Sequence, residues 1–182
     1  EVKAPEKLVD IYFSSVGRNS ILLLNVPPDK RGLIHENDIK SLRGMRQILD
    51  RTFERNLARG AAVKASNEEK GHKAQLVLDE DKMTYWTTDE DVETATIEFA
   101  FPNPRAFDVA MLQEFIRTGQ RVEEFSLEAW DGKVWRPFAK GTTIGYKRLL
   151  RFPKVTAGKI RLVILRSRSN PALSSFGLFK SP

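Results

Sequence analysis

Thr94-Ala95-Thr96-Ile97-Glu98-Phe99-Ala100-Phe101 decides the architecture, because its large apolar side chains fall on every second residue. Ile97, Phe99 and Phe101 alternate with Thr96, Glu98 and Ala100, the period-two rhythm of a strand with one buried and one wet face. The rhythm returns at 124–130, where Phe125, Leu127 and Ala129 alternate with Ser126, Glu128 and Trp130. Further strand-like runs occupy 109–115, 148–152 and 159–166, separated by Pro102-Asn103-Pro104, Asp131-Gly132, Gly141 and Ala157-Gly158, all of them turn chemistry. Many short antiparallel strands with no helix between them predict a mainly β fold, a β-sandwich.

Toward the N-terminus the rhythm changes. Leu8, Val9, Tyr12, Phe13 and Val16 recur at three- and four-residue steps, which is one face of a helix; Pro5 suits its first turn and Gly17 its C-terminal end. Ser20-Ile21-Leu22-Leu23-Leu24-Asn25-Val26 does not alternate, as expected of a parallel strand covered on both faces. Pro27 and Pro28 stop it, Asp29-Lys30-Arg31-Gly32 supplies a turn, and a second helix starts near Glu36. Ile39, Leu42, Met45, Leu49 and Phe53 form its apolar stripe. Helix, buried strand, helix is an α/β signature. A buried parallel strand with neither neighbour exposes unpaired backbone and apolar area, so its neighbours are expected upstream. The expected division is 1–56 as the end of a larger α/β domain and 57–182 as a complete β-domain.

At 182 residues and 41% hydrophobic content, the chain can build a sizeable core. No run of eighteen apolar residues occurs, so no helix is expected to span a bilayer. The first seven residues have mixed charge and do not resemble a secretion signal; the expectation is a mature chain or one that begins partway through a longer protein. The absence of cysteine excludes disulfides and thiolate metal sites, without fixing the compartment. The formal charge of +6 raises an anionic partner, nucleic acid or an acidic glycan. Carboxylates crowd between Asp79 and Glu93 and none follows Asp131. The basic residues of that tail are scattered, which reads as solvated surface, and aromatics do not interleave with them as nucleic-acid stacking demands.

Two stretches resemble known families. Leu8-Val9-Asp10-Ile11-Tyr12, Ser15-Val16-Gly17-Arg18-Asn19-Ser20 and Leu22-Leu23-Leu24-Asn25-Val26-Pro27-Pro28-Asp29-Lys30-Arg31-Gly32-Leu33-Ile34 together resemble the closing segment of bacterial α-L-fucosidase catalytic barrels. Leu78-Asp79-Glu80-Asp81 with Thr84-Tyr85-Trp86, then Gln113-Glu114, Ile116 and Gly119-Gln120-Arg121-Val122, then Thr142-Thr143-Ile144-Gly145-Tyr146-Lys147-Arg148 resemble the discoidin, or coagulation factor 5/8 C-type, sandwich that follows many such barrels. The resemblance implies a galactose-binding-like jelly roll after a (β/α) barrel remnant, in an exported, periplasmic or cell-surface glycoside hydrolase. It implies fucose- or galactose-containing glycans and the upstream catalytic domain as partners.

Retaining glycosidases need two carboxyl groups roughly 5 Å apart. In the family this fragment resembles, both lie earlier in the barrel, so no hydrolysis is expected from this chain alone. Asp29 follows the strand and reads as a turn residue, and His35 as the start of a helix. For carbohydrate binding the candidates are His72, Glu114, Arg121, Tyr146, Arg168 and Asn170, where a planar charged group can grip vicinal hydroxyls. A Glu114–Arg121 ion pair holding the Gly119-Gln120 turn is the structural alternative. By the resemblance, Leu78, Asp79, Asp81 and Thr84 are the candidates for a structural calcium, which takes six to eight oxygens; the segment that commonly supplies a further acid reads Ser174-Ser175-Phe176-Gly177. No cofactor is otherwise required. Trp86 and Trp135 are expected to pack in the interior, whereas Trp130 points away from the main core. The competing functions are a basic nucleic-acid-binding sandwich and a scaffold for a protein partner.

Overall fold

A computed structural model describes residues 2–182. Helix α1 spans Pro5–Ser14 and α2 spans Glu36–Phe53. Pro5 opens α1, where a missing N–H costs nothing. Gly17 closes its turn against the sheet: a Cβ there would lie 2.4 Å from the Phe13 carbonyl oxygen and 2.8 Å from Leu149 Cβ. His35 caps α2, its Nδ1 accepting from Asn37 N–H at 3.1 Å.

The strands are β1 (Ala62–Ala65), β2 (Trp86–Thr87), β3 (Ala95–Glu114), β4 (Val122–Trp130), β5 (Trp135–Gly141), β6 (Arg148–Ser167) and β7 (Ala172–Phe179). All pairings between them are antiparallel, in the order β2-β7-β3-β6-β4-β5, with β1 on the first half of β3. The fold is the expected antiparallel β-sandwich.

Two predicted breaks are absent. The runs at 94–101 and 109–115 are one strand, β3, and those at 148–152 and 159–166 are one strand, β6. The ladder steps from Ala100↔Lys159 to Arg105↔Ala157, so Pro102-Asn103-Pro104 sits in a bulge where no ladder N–H is required. Both strands therefore bend through their turn-like segments without ending. Gly141 is needed for another reason: a Cβ there would lie 2.5 Å from the Phe125 ring.

Trp86, Ile97, Phe99, Phe107, Phe125, Leu127, Ile160, Leu162, Ile164 and Phe176 form one buried cluster between the layers, with Phe99 stacked on Phe176 at 4.2 Å. A second cluster joins the helices to the outer surface of the sheet: Leu8, Val9, Phe13 and Met45 pack with Val109, Leu149 and Phe179. Phe53 meets Phe179 edge to face at 5.0 Å and Phe13 at 6.2 Å. Asn56 ties the connection down, donating to Phe176 O at 3.0 Å and accepting from Leu178 N–H at 3.1 Å. The helices are thus fastened to the sandwich.

Residues 20–28 depart from the expected buried strand. They lie in no ladder, and the side chains alternate: Leu22 and Leu24 pack on the helical cluster, whereas Ile21 is 88% and Leu23 92% exposed. Only one face of the segment finds a partner among the described residues. Asp29 takes the turn role, accepting from Arg31 N–H at 2.8 Å. Among the described residues, no helix is long and apolar enough to cross a membrane.

Candidate functional site

The turn after β3 organises one end of the sandwich. Glu114 is 2% exposed, and its carboxylate accepts from the backbone N–H groups of Arg121 (2.7 Å), Val122 (2.9 Å) and Gly145 (2.6 Å). The expected Glu114–Arg121 ion pair is therefore not formed; the carboxylate takes the Arg121 backbone instead of its guanidinium. A buried anion is satisfied here by converging amides, and it binds the 115–122 turn to the Gly145 loop.

The Arg121 guanidinium turns the other way. Its Nη1 donates to Asn170 O at 2.7 Å and Asn170 Oδ1 at 2.9 Å, and its Nε to Thr118 O at 3.3 Å. Asn170 in turn donates to Thr87 Oγ1 at 3.1 Å and Thr88 O at 3.2 Å. Arg121 and Asn170, 49 positions apart, so become one unit bridging three loops.

Beside this pair stands an aromatic stack that sequence spacing did not disclose. Tyr85 lies between His72 and Phe115, with centroid separations of 4.1 Å on each side, the second pair nearly parallel at 12°. His72 Nδ1 is 3.1 Å from the Tyr85 carbonyl oxygen, which can only accept, so the ring proton sits on that nitrogen. Phe115 begins the same turn that ends in Arg121, and its N–H donates to Ala172 O. An apolar ring edge beside a guanidinium–amide pair is the arrangement that can meet both the carbon face and the hydroxyls of a sugar.

The other candidates are spread. Arg168 adjoins the pair through its backbone N–H to Arg121 O, but its guanidinium is held by Glu123 at 2.7 Å. That arginine keeps the Glu123 carboxyl below the usual carboxylate range. Tyr146 belongs to the Gly145 loop; its carbonyl accepts from Gln113 Nε2 at 2.8 Å and the residue is 54% exposed. Trp86 is buried, its Nε1 donating to Asn67 O at 3.1 Å. Trp130 faces Trp135 across the β4–β5 hairpin at 5.3 Å, with Arg161 and Lys159 over the Trp135 ring.

The calcium candidates form a tight loop after Leu78. Asp79 Oδ1 accepts from Asp81 N–H at 2.9 Å and Oδ2 from Thr84 Oγ1 at 2.7 Å, while Asp81 Oδ1 accepts from Met83 N–H at 2.8 Å. Both Asp79 oxygens and one of Asp81 are thus turned onto the loop's own donors. Ser174 and Phe176 lie inside β7 and bring no carboxylate, and no group of three His, Cys, Asp or Glu suited to a metal occurs among the described residues. For calcium, which takes six to eight oxygens, Asp79 would have to release Thr84.

A family model for the F5/8 type C domain matches residues 62–176. Alpha-L-fucosidase 1 of Arabidopsis thaliana is 38% identical over 97% of this chain and 36% of its own length. The chain spans about a third of the length of the curated relatives it matches. Among solved structures, a Ruminococcus gnavus GH29 fucosidase in complex with fucose superposes with a TM-score of 0.91 at 34% identity, covering 99% of this chain and 37% of the other. CBM32 domains of Clostridium perfringens ZmpB in complex with GalNAc superpose with a TM-score of 0.60 at 17% identity, covering 68% of this chain and 34% of the other, a likeness of fold.

Proposed function

This chain belongs to the F5/8 type C domain family, and on that premise we propose that it is the C-terminal part of an exported α-L-fucosidase whose sandwich binds fucose- or galactose-containing glycans and steadies the catalytic domain. Residues 57–182 are the glycan-binding module, and residues 1–56 are the closing segment of the catalytic barrel. Hydrolysis belongs to the upstream part, where the nucleophile and acid/base are expected. One observation carries the binding role: the His72–Tyr85–Phe115 stack standing beside the Arg121–Asn170 pair at one end of the sandwich. The half-satisfied 20–28 segment supports the docking role, since Ile21 and Leu23 await an apolar neighbour.

Calorimetric titration of the chain with galactose- and fucose-terminated oligosaccharides tests the binding role. Millimolar affinity is expected, weakened about tenfold by Tyr85→Ala, which removes the middle of the stack. No heat with either sugar at millimolar concentration leaves the sandwich a stabilising module only. Calcium is outside this proposal: binding it requires Asp79 to release Thr84, so a rise in melting temperature on adding calcium would bring the ion back.

A further inference from the structure

A second opening is the cleft of about 870 Å³ between the C-terminal half of α2 and the outer surface of the sheet, bordered by the 80–82 loop and by Gln113 and Lys147. Its volume is that of an ordinary small-ligand site. Half of its charges are already matched, while Glu54, Arg55 and Asp81 line it without an ion pair among the described residues. Arg46 pairs with Asp50 at 2.7 Å, Arg59 pairs with Glu80, and Arg105 donates to the carbonyls of Leu57 and Arg59. Lys82 and Lys147 also line the cleft, and neither makes an ion pair among the described residues.

These two lysines face the same space. Burial lowers the Lys147 pKa, and the neighbouring Lys82 charge lowers it further; both effects disfavour an ammonium that has lost water and gained a like charge. An anion placed between them offsets both by its attraction for the two ammonium groups. Phe53 and Phe179, packed edge to face at 5.0 Å, close the cleft's floor as part of the helical cluster, and Ser175 and Gln113 line it with hydroxyl and amide groups.

We propose that this cleft binds an anionic sugar, with Lys82 and Lys147 receiving its carboxylate or sulfate and Ser175 and Gln113 facing its hydroxyls. The identity of the ligand as a sugar rests on the glycan-binding reading of the sandwich; the charge preference rests on the lysines, which together with Arg55 outnumber the unpaired carboxylates of Glu54 and Asp81 in the cleft. A cleft of this size takes one or two sugar residues, which a nucleic-acid strand, with its repeated phosphates and need for stacking faces, does not match.

The test is titration of the chain with galactose, glucuronic acid and galactose 6-sulfate at fixed ionic strength, alongside a single-stranded oligonucleotide. At least one charged sugar is expected to bind about tenfold or more tighter than galactose, since a hydrogen bond to a charged group is worth about 1.4 kcal/mol or more; comparison of the two identifies carboxylate or sulfate. Lys82→Gln with Lys147→Gln should abolish the preference and leave the galactose affinity unchanged, whereas Lys147→Arg should retain it. The preference should decline with rising pH before an ordinary lysine titrates, because Lys147 loses its proton early. Charged sugars no better than galactose, a preference that survives the double substitution, or tighter binding of the oligonucleotide would each overturn the proposal. Because Tyr85→Ala reports on the loop end and the lysine variants on the cleft, failure of one reading is distinguishable from failure of the other.

Discussion

Trp86 and Ile21 are both large apolar side chains, yet one is 0% and the other 88% exposed. They stand for two regions built to different rules. In the sandwich the strands present an apolar face to a facing layer, and where Val109, Leu149 and Phe179 turn outward they meet the helices, so the unit closes on itself. In the N-terminal arm two helices bury one side of the 20–28 segment and, among the described residues, nothing buries the other. The lesson is that burial is decided by how many faces an element must cover: period-two strands find one partner layer within 120-odd residues, whereas a segment apolar on both sides needs two.

The contrast breaks most directly at the sandwich core. Trp86→Ala removes a fully buried ring and leaves the Asn67 carbonyl without its indole donor; a loss of about 3–5 kcal/mol in urea-monitored stability is expected. A loss below about 1 kcal/mol would mean that stability does not reside between the layers. Glu114→Ala comes next, at about 2–4 kcal/mol, because three backbone N–H groups lose their shared acceptor. Hydrogen exchange locates the damage: the amides of Arg121, Val122 and Gly145 should exchange faster, and Glu114→Gln, keeping one carbonyl oxygen, should recover part of their protection.

A smaller effect sharpens the edge of the sandwich. Asp131 in the β4–β5 turn accepts from the N–H groups of Val134 and Lys133 and from Arg136, which lowers its pKa from 3.8 to about 2. With the folded value depressed, the stabilisation is fully present above the unfolded value and fades as pH falls from about 4 toward about 2. The Trp130–Trp135 pair at the same hairpin supplies the readout. Its fluorescence should change over that acid range and stop doing so in Asp131→Asn, while the 62–101 half of the sandwich remains folded.

Much of this division was legible beforehand, for reasons that differ by residue. Leu8, Phe13, Met45 and Phe53 repeat at helical spacing, and Ile97, Phe99, Phe125 and Leu127 at strand spacing, so local period sufficed. The fusion of two predicted strands into β3 was hidden because Pro102 and Pro104 are forbidden only where a ladder N–H is needed, and the bulge that frees them depends on β6. Strand β7 was overlooked because Ala172-Leu173-Ser174-Ser175-Phe176-Gly177-Leu178-Phe179 is covered on both sides and does not alternate cleanly. At the loop end, Arg121 and Asn170 could be named as polar loop residues, but their union 49 positions apart, and the insertion of Tyr85 between His72 and Phe115, follow from tertiary pairing alone.

The smallest expected effect is the most discriminating. Ile21→Ser with Leu23→Ser replaces two side chains that are almost entirely in water, so the stability of this chain should change by no more than about 0.5 kcal/mol. Joined to the upstream part proposed above, the same pair becomes the covered face of a strand, and each substitution then strips apolar area from an interface at about 25 cal/mol per Å². The double variant should therefore leave the melting temperature of the 182-residue chain alone and lower that of the longer protein by several degrees. Equal, negligible shifts in both would mean that the arm is simply an exposed tether; a large loss in the short chain would mean that it covers these residues by self-association, which sedimentation at several concentrations would reveal.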